Sequence, residues 1–179
     1  MGKKKYVAYV GSYTHGVSKG IKVYDVDVEK GLLTERNEVE VSNSSHTAVS
    51  KNGKYLYSIE DEGVAVFERD KDGDLARMNS VDIDGMRGCY LATDVDGKYL
   101  YVAGYHDGKV TVVHTHRDGS LGSLMDGVFH KGLGSVAERN FRPHVNCVRP
   151  TPDNKYLCAV DNGICLLYTS DAADDLTRV

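Results

Sequence analysis

One phrase occurs three times in the 179-residue chain, and it constrains the fold more than any other feature. It reads Ser50-Lys-Asn-Gly-Lys-Tyr-Leu-Tyr57, then Asp94-Val-Asp-Gly-Lys-Tyr-Leu-Tyr101, then Thr151-Pro-Asp-Asn-Lys-Tyr-Leu-Cys158. Lys54 and Lys98 are 44 residues apart and Lys98 and Lys155 are 57 apart, so the third copy follows one repeat later with about 13 residues inserted. A period of 40 to 50 residues belongs to propeller blades or to helical arrays. The local pattern decides between them. An apolar run stands on each side of Asn-Gly or Asp-Gly in the first two copies, which predicts hairpins with two-residue turns whose residues accept positive φ. Further strands are expected at Gly63 to Phe67, Lys109 to His114 and Ile164 to Tyr168, and no window sustains a 3.6-residue apolar period. Four short strands per repeat, covered on both faces by neighbouring sheets, describe an all-β chain folded as a β-propeller.

The strands can be grouped into blades. Residues 7–13, 20–26 and 33–41 supply three strands, a first blade lacking its innermost strand. Two full blades follow at about 45–83 and 88–129, and another begins at His144. About three and a half four-stranded blades result, where a closed ring has 4 to 8. Composition agrees: 19 glycines and 12 tyrosines against 3 prolines suit short strands joined by glycine turns. The net charge of −4, with basic residues scattered apart from Lys3 to Lys5, argues against a nucleic-acid partner. No apolar stretch has the length of a membrane span or the form of a signal peptide, so no membrane partner and a cytoplasmic location are expected. The four cysteines show no C-x-x-C spacing and read as reduced thiols.

Several segments carry a family resemblance. Tyr9-Val-Gly-Ser-Tyr-Thr14 followed by Gly20-Ile-Lys-Val-Tyr24, and then His130-Lys-Gly-Leu-Gly-Ser135 leading to Glu138-Arg-Asn-Phe-Arg-Pro-His-Val-Asn146, stand in the order seen in the seven-bladed lactonase family. The chain resembles that family, which contains the propeller-type 6-phosphogluconolactonases, over residues 6 to 164. Asn140 stands where the family usually has Gln, and Asn146 where it usually has a second His. The resemblance implies a hydrolase of the pentose phosphate pathway that opens a sugar lactone, foremost 6-phosphogluconolactone, without metal or organic cofactor. At about 45 residues per blade, seven blades need well over 300 residues, so the resemblance is to the N-terminal half. Residues 1–164 read as a partial propeller domain. Residues 165–179 abandon the blade pattern after a few residues and are expected to be a non-native or disordered tail. The chain on its own is expected to be inactive and poorly soluble.

Aligning the three copies puts His46, Cys89-Tyr90 and His144 at the entrances of innermost strands, next to the central channel. Imidazole titrates near cellular pH and suits proton transfer in ester hydrolysis, which makes His144, in Arg142-Pro-His144, the candidate acid or base. A phosphorylated or carboxylated lactone is anionic, and guanidinium binds such groups through paired hydrogen bonds. Arg142 and Arg139 are therefore expected to hold the anion and offset charge on the carbonyl oxygen, with Arg87, His46 and Asn146 as further substrate-binding candidates.

Other patterns fail on context. Gly132-Leu-Gly-Ser-Val-Ala137 matches a dinucleotide fingerprint without its strand-then-helix unit. His114 and His116 share a strand face but lack an identifiable third metal ligand. No G-x-S-x-G elbow exists, and Glu60-Asp61-Glu62 reads as an exposed loop. Two rival readings of function are a lactone-forming cycloisomerase on a carboxylated substrate and a non-catalytic propeller that binds protein.

Overall fold

A computed structural model describes residues 5–134 and 141–171, and in them the chain forms fourteen strands and no helix. The first sheet has three strands, β1 (Tyr6–Gly11), β2 (Gly20–Asp27) and β3 (Leu32–Glu40). The second has four, β4 (Thr47–Val49), β5 (Tyr55–Glu60), β6 (Gly63–Arg69) and β7 (Leu75–Asp82). The third repeats it with β8 (Tyr90–Thr93), β9 (Tyr99–Gly104), β10 (Lys109–Thr115) and β11 (Leu121–Phe129). The fourth holds β12 (Val145–Pro150), β13 (Tyr156–Asp161) and β14 (Leu166–Asp171). Within each sheet every strand pairs antiparallel with its neighbour in sequence, as in a propeller blade.

The apolar residues lie between sheets. Ile21, Leu56, Ala65 and Phe67 join the first sheet to the second, and Ile59, Val64, Val66, Leu91, Leu100 and Val102 join the second to the third. Tyr101, Val112, Val145, Val148 and Leu157 join the third to the fourth. Middle strands are covered from both sides, which is why β5, β6, β9 and β10 are buried along most of their length and β9 reads as a continuous apolar run. The outer strand β7 is covered on one side and alternates along much of its length. The innermost strands β4, β8 and β12 stand side by side.

A bulge recurs where the third strand of each of the first three blades meets the fourth, between Val23 and Tyr24, Val66 and Phe67, and Val112 and Val113. The match assigns β1, β2 and β3 to the second, third and fourth positions of their blade, so the expected gap is at the innermost position.

The repeated phrase folds differently from a two-residue hairpin. Ser50 and Tyr55 close a loop of four residues, and in it Gly53 alone has positive φ (73°); Gly97 (70°) and Asn154 (59°) take that position in the other copies. A side-chain oxygen at the start of each phrase accepts the amide of the following Tyr: Ser50 Oγ from Tyr55, Asp94 Oδ1 from Tyr99 and Thr151 Oγ1 from Tyr156. These caps make a wider turn as satisfied as a tight one. The last strand also starts at Leu166 instead of Ile164, because the Asp161 carboxylate takes the Gly163 and Ile164 amides into a turn that ends at Cys165 with φ 56°. β14 pairs with β13 beyond the boundary drawn at residue 164.

Candidate functional site

Antiparallel order places the connections into innermost strands and the turns between second and third strands at one end of every sheet. His46, Arg87, Tyr105, Asp107, Arg142, His144 and Asp161 all belong to this end. The entrances match as expected: β4, β8 and β12 begin just after His46, Cys89 and His144.

His144 is buried. Its ring lies parallel to Tyr105, centroids 4.4 Å apart at 13°, and its Nδ1 is 2.6 Å from the Tyr105 carbonyl oxygen. A carbonyl only accepts, so Nδ1 carries a proton, and in the neutral ring the lone pair is on Nε2. No hydrogen bond to Nε2 occurs among the described residues. The His144 amide donates to Asp161 Oδ1 at 2.8 Å, and His130 Nδ1 lies 2.8 Å from Asp161 Oδ2. Burial pushes the Asp161 carboxyl up, yet the His144 amide, the His130 ring and the Ile164 and Gly163 amides outweigh it and hold the group below the usual carboxylate range.

Arg142 is exposed, with its guanidinium over the Phe141 ring and no ion pair among the described residues. Arg139 and Asn140 lie outside the described residues. Asn146 sits at the β12 bulge, where Val145 pairs with Asp161 and Cys147 with Val160. Its Oδ1 is buried and has no partner among the described residues.

His46 has the opposite tautomer. The Leu91 amide donates to its Nδ1 at 3.2 Å, leaving the proton on Nε2, and burial lowers its pKa, so the ring is neutral and bonds the neighbouring blade. It shares a groove of about 470 Å³ along β4, β8 and β12 with Tyr90 and Arg149. A cavity of about 740 Å³ lies at the opposite end beside Lys51, Lys98 and His114, and none of the expected site residues lines it. His114 and His116 stand edge to face at 5.0 Å, and among the described residues no third metal-ligating group joins them.

Arg87 is at the expected mouth but is already paired. It bonds Asp61 at 3.0 Å and lies over the Tyr13 ring. Asp61 also accepts from the Asn43 amide group at 2.8 and 2.9 Å, and chiefly this bond holds its carboxyl below the usual range. The acidic turn at residues 60–62 is thus exposed yet engaged. Asn43 is buried with φ 46°, a conformation costing most L residues about 1–2 kcal/mol. Asn43→Ala keeps that strain and removes the bonds to Asp61 and Thr14, so it is expected to lower stability by about 2 kcal/mol in urea unfolding. The loop bearing Arg87 is anchored by the buried Lys109, whose Nζ donates to the Ile83 and Asp84 carbonyls at 3.0 and 2.7 Å.

Sequence reasoning missed three groups of this site. Tyr105 acts through its carbonyl and ring face, His130 stands inside the 130–135 motif with nothing to set it apart, and Asp161 in Asp-Asn-Gly reads as an ordinary turn residue. For Asp161, a signal was available in its place at the end of a middle strand, one blade turn from His144.

No helix among the described residues is long and apolar enough to cross a membrane. The family profile described as lactonase, 7-bladed beta-propeller, matches residues 7–178. The 6-phosphogluconolactonase of Bacillus subtilis is 39% identical over 176 residues, covering 95% of this chain and 50% of that protein. A solved structure from Bacteroides fragilis shares 34% identity and superposes with a TM-score of 0.88 over 97% of this chain and 51% of its own. The periplasmic gluconolactonase of Pseudomonas aeruginosa shares 26% identity with a TM-score of 0.87, over 96% of this chain and 51% of its own. The chain spans about half the length of the relatives it matches. Its successive antiparallel blades accord with this likeness, and the chain belongs to the seven-bladed β-propeller lactonase family.

Proposed function

We propose that the complete ring to which these blades belong hydrolyses a sugar lactone, with 6-phosphogluconolactone as substrate and 6-phosphogluconate as product. The observation that carries this reading is the contact of His144 Nδ1 with the Tyr105 carbonyl, which in the neutral ring puts the lone pair on Nε2 at the mouth of the propeller. The name of the Bacillus subtilis relative supplies the substrate.

In this scheme Nε2 removes a proton from water as its oxygen attacks the lactone carbonyl. The tetrahedral intermediate then collapses, the ring C–O bond breaks, and the imidazolium returns its proton to the departing ring oxygen. Positive charge on the imidazolium strengthens the Nδ1–H bond to the Tyr105 carbonyl and is favoured by the Tyr105 ring face. Arg142, uncommitted among the described residues, binds the phosphate with Arg139, and Arg142 also offsets charge on the carbonyl oxygen. The Nε2–H of His46 and the Asn146 amide contact the sugar hydroxyls from the channel wall, and Arg87, held by Asp61 through Nη1, reaches them with its remaining N–H groups. Four cysteines without disulfides suit a cytoplasmic location.

The experiment is hydrolysis of 6-phosphogluconolactone and of unphosphorylated gluconolactone by the complete protein. The phosphorylated lactone is expected to be preferred, and equal or absent turnover overturns the reading. Arg142→Gln is expected to raise KM for the phosphorylated lactone alone, about tenfold, the value of one charged hydrogen bond, and to lower kcat for both lactones because the same guanidinium offsets charge on the carbonyl oxygen.

A further inference from the structure

We propose that Asp161 is the positioning residue of this site: one buried carboxylate fixes the main chain on which His144 is mounted and, through the His130 ring, docks the foot of the loop that carries Arg142. The inference rests on the lactonase reading for its effect on turnover, but its geometry stands without it.

Asp161 is 1% exposed and closes β13, where it pairs with Val145, the residue after His144. Oδ1 receives three amides, from His144 at 2.8 Å, Gly163 at 2.9 Å and Ile164 at 3.2 Å. Oδ2 faces His130 Nδ1 at 2.8 Å. The Asp161 amide segment and the 144 segment are joined again by the Asn162 amide, which donates to the His144 carbonyl at 3.0 Å. His130 follows β11 directly, and its own amide donates to the Gly108 carbonyl at 2.9 Å, so both ends of the 130–144 connection are tied to one point.

A single turn residue would need only the Gly163 and Ile164 amides. The other two bonds reach 17 and 31 residues back along the chain, to the candidate base and to the loop that precedes it. Both are charge-assisted and short, and the group is shielded from water, so they are stronger and more directional than surface bonds. The His144 ring can meet the Tyr105 carbonyl at 2.6 Å only while its backbone is held in place, because that carbonyl belongs to a different blade. Asp161 therefore acts on the chemistry through His144, without touching substrate.

The test uses the complete protein with Asp161→Asn, His130→Ala and His130→Gln, measured by imidazole 15N NMR and by lactone turnover. Asn is isosteric but uncharged, and with its oxygen kept on the His144 amide its NH2 faces His130 and cannot accept from it. In Asp161→Asn the His144 resonances are expected to change from a single Nδ1–H tautomer to a mixture, and kcat to fall about tenfold with KM within twofold. His130→Gln, which retains a side-chain N–H, is expected to restore most of the kcat lost in His130→Ala. Unchanged His144 resonances in both Asp161→Asn and His130→Ala overturn the proposal; should Asp161→Asn fail to fold, the His130 pair decides it by the same resonances and by the presence or absence of rescue. A protein that turns over no lactone but shows the tautomer change refutes the proposed function and leaves the positioning role standing.

Discussion

In the complete ring, His144→Ala is expected to lower kcat for lactone hydrolysis by about 100- to 10,000-fold, the range that a positioned general base contributes. KM is expected to stay within a fewfold, because Arg142 and the channel wall hold the substrate. The size of the effect follows from how completely the site commits this ring. Nδ1 is bound to the Tyr105 carbonyl, one face is covered by the Tyr105 ring, and only Nε2 is left to react. His46→Ala provides the comparison. Its Nδ1 lone pair is occupied by the Leu91 amide and the proton is on Nε2, so no lone pair is left to act as base, and its loss is expected to cost far less in kcat. Turnover that survives His144→Ala undiminished would remove this histidine from the chemistry and, with it, the assignment of the mouth of the fourth sheet as the reaction centre.

The fold was legible because its strands are buried on both faces. Runs such as Tyr55–Glu60 and Tyr99–Gly104 are apolar almost throughout, and the Lys-Tyr-Leu phrase marks the same strand in each copy. The recurrent bulges were not legible, since a bulge is a property of a pair of strands and leaves no mark on either one alone. Turn length is not legible where a side chain caps the loop: Ser50 and Asp94 close four-residue loops where Asn-Gly and Asp-Gly predict two-residue turns, and Thr151 closes the same loop in the third copy. The site was legible in its residue types and position and illegible in its pairing. Arg87 stands at the mouth, as its place before β8 implied, but that position could not reveal that Asp61 and Tyr13 already occupy it. Asp161 is the clearest case, because an aspartate before Asn-Gly satisfies every local expectation of a turn while two of its four bonds are long-range.

Gly163→Ala is expected to damage stability and turnover together, although the substitution adds one methyl group and Gly163 has no backbone conformation reserved for glycine. A Cβ there would stand 2.8 Å from the His144 amide nitrogen and 3.0 Å from the Arg142 carbonyl carbon, and closer still to the Arg142 carbonyl oxygen. All three are backbone atoms, so no side-chain rotation relieves the contact. The turn after β13 must move away from the 142–144 segment, and the bonds from the His144 and Asn162 amides lie across that gap. A loss of about 3 kcal/mol or more is expected, in the range of substitutions that break a buried network, and kcat is expected to approach that of His144→Ala because the imidazole loses its mounting. Gly97→Ala separates this mechanism from general intolerance of alanine. Gly97 has φ 70° and nothing within 4 Å of its would-be Cβ, so it should cost about 1 kcal/mol in backbone strain and leave turnover unchanged. Thermal unfolding and lactone assays on the two variants measure both quantities, and a Gly163→Ala protein as stable and active as the parent would mean that the turn after β13 does not carry His144.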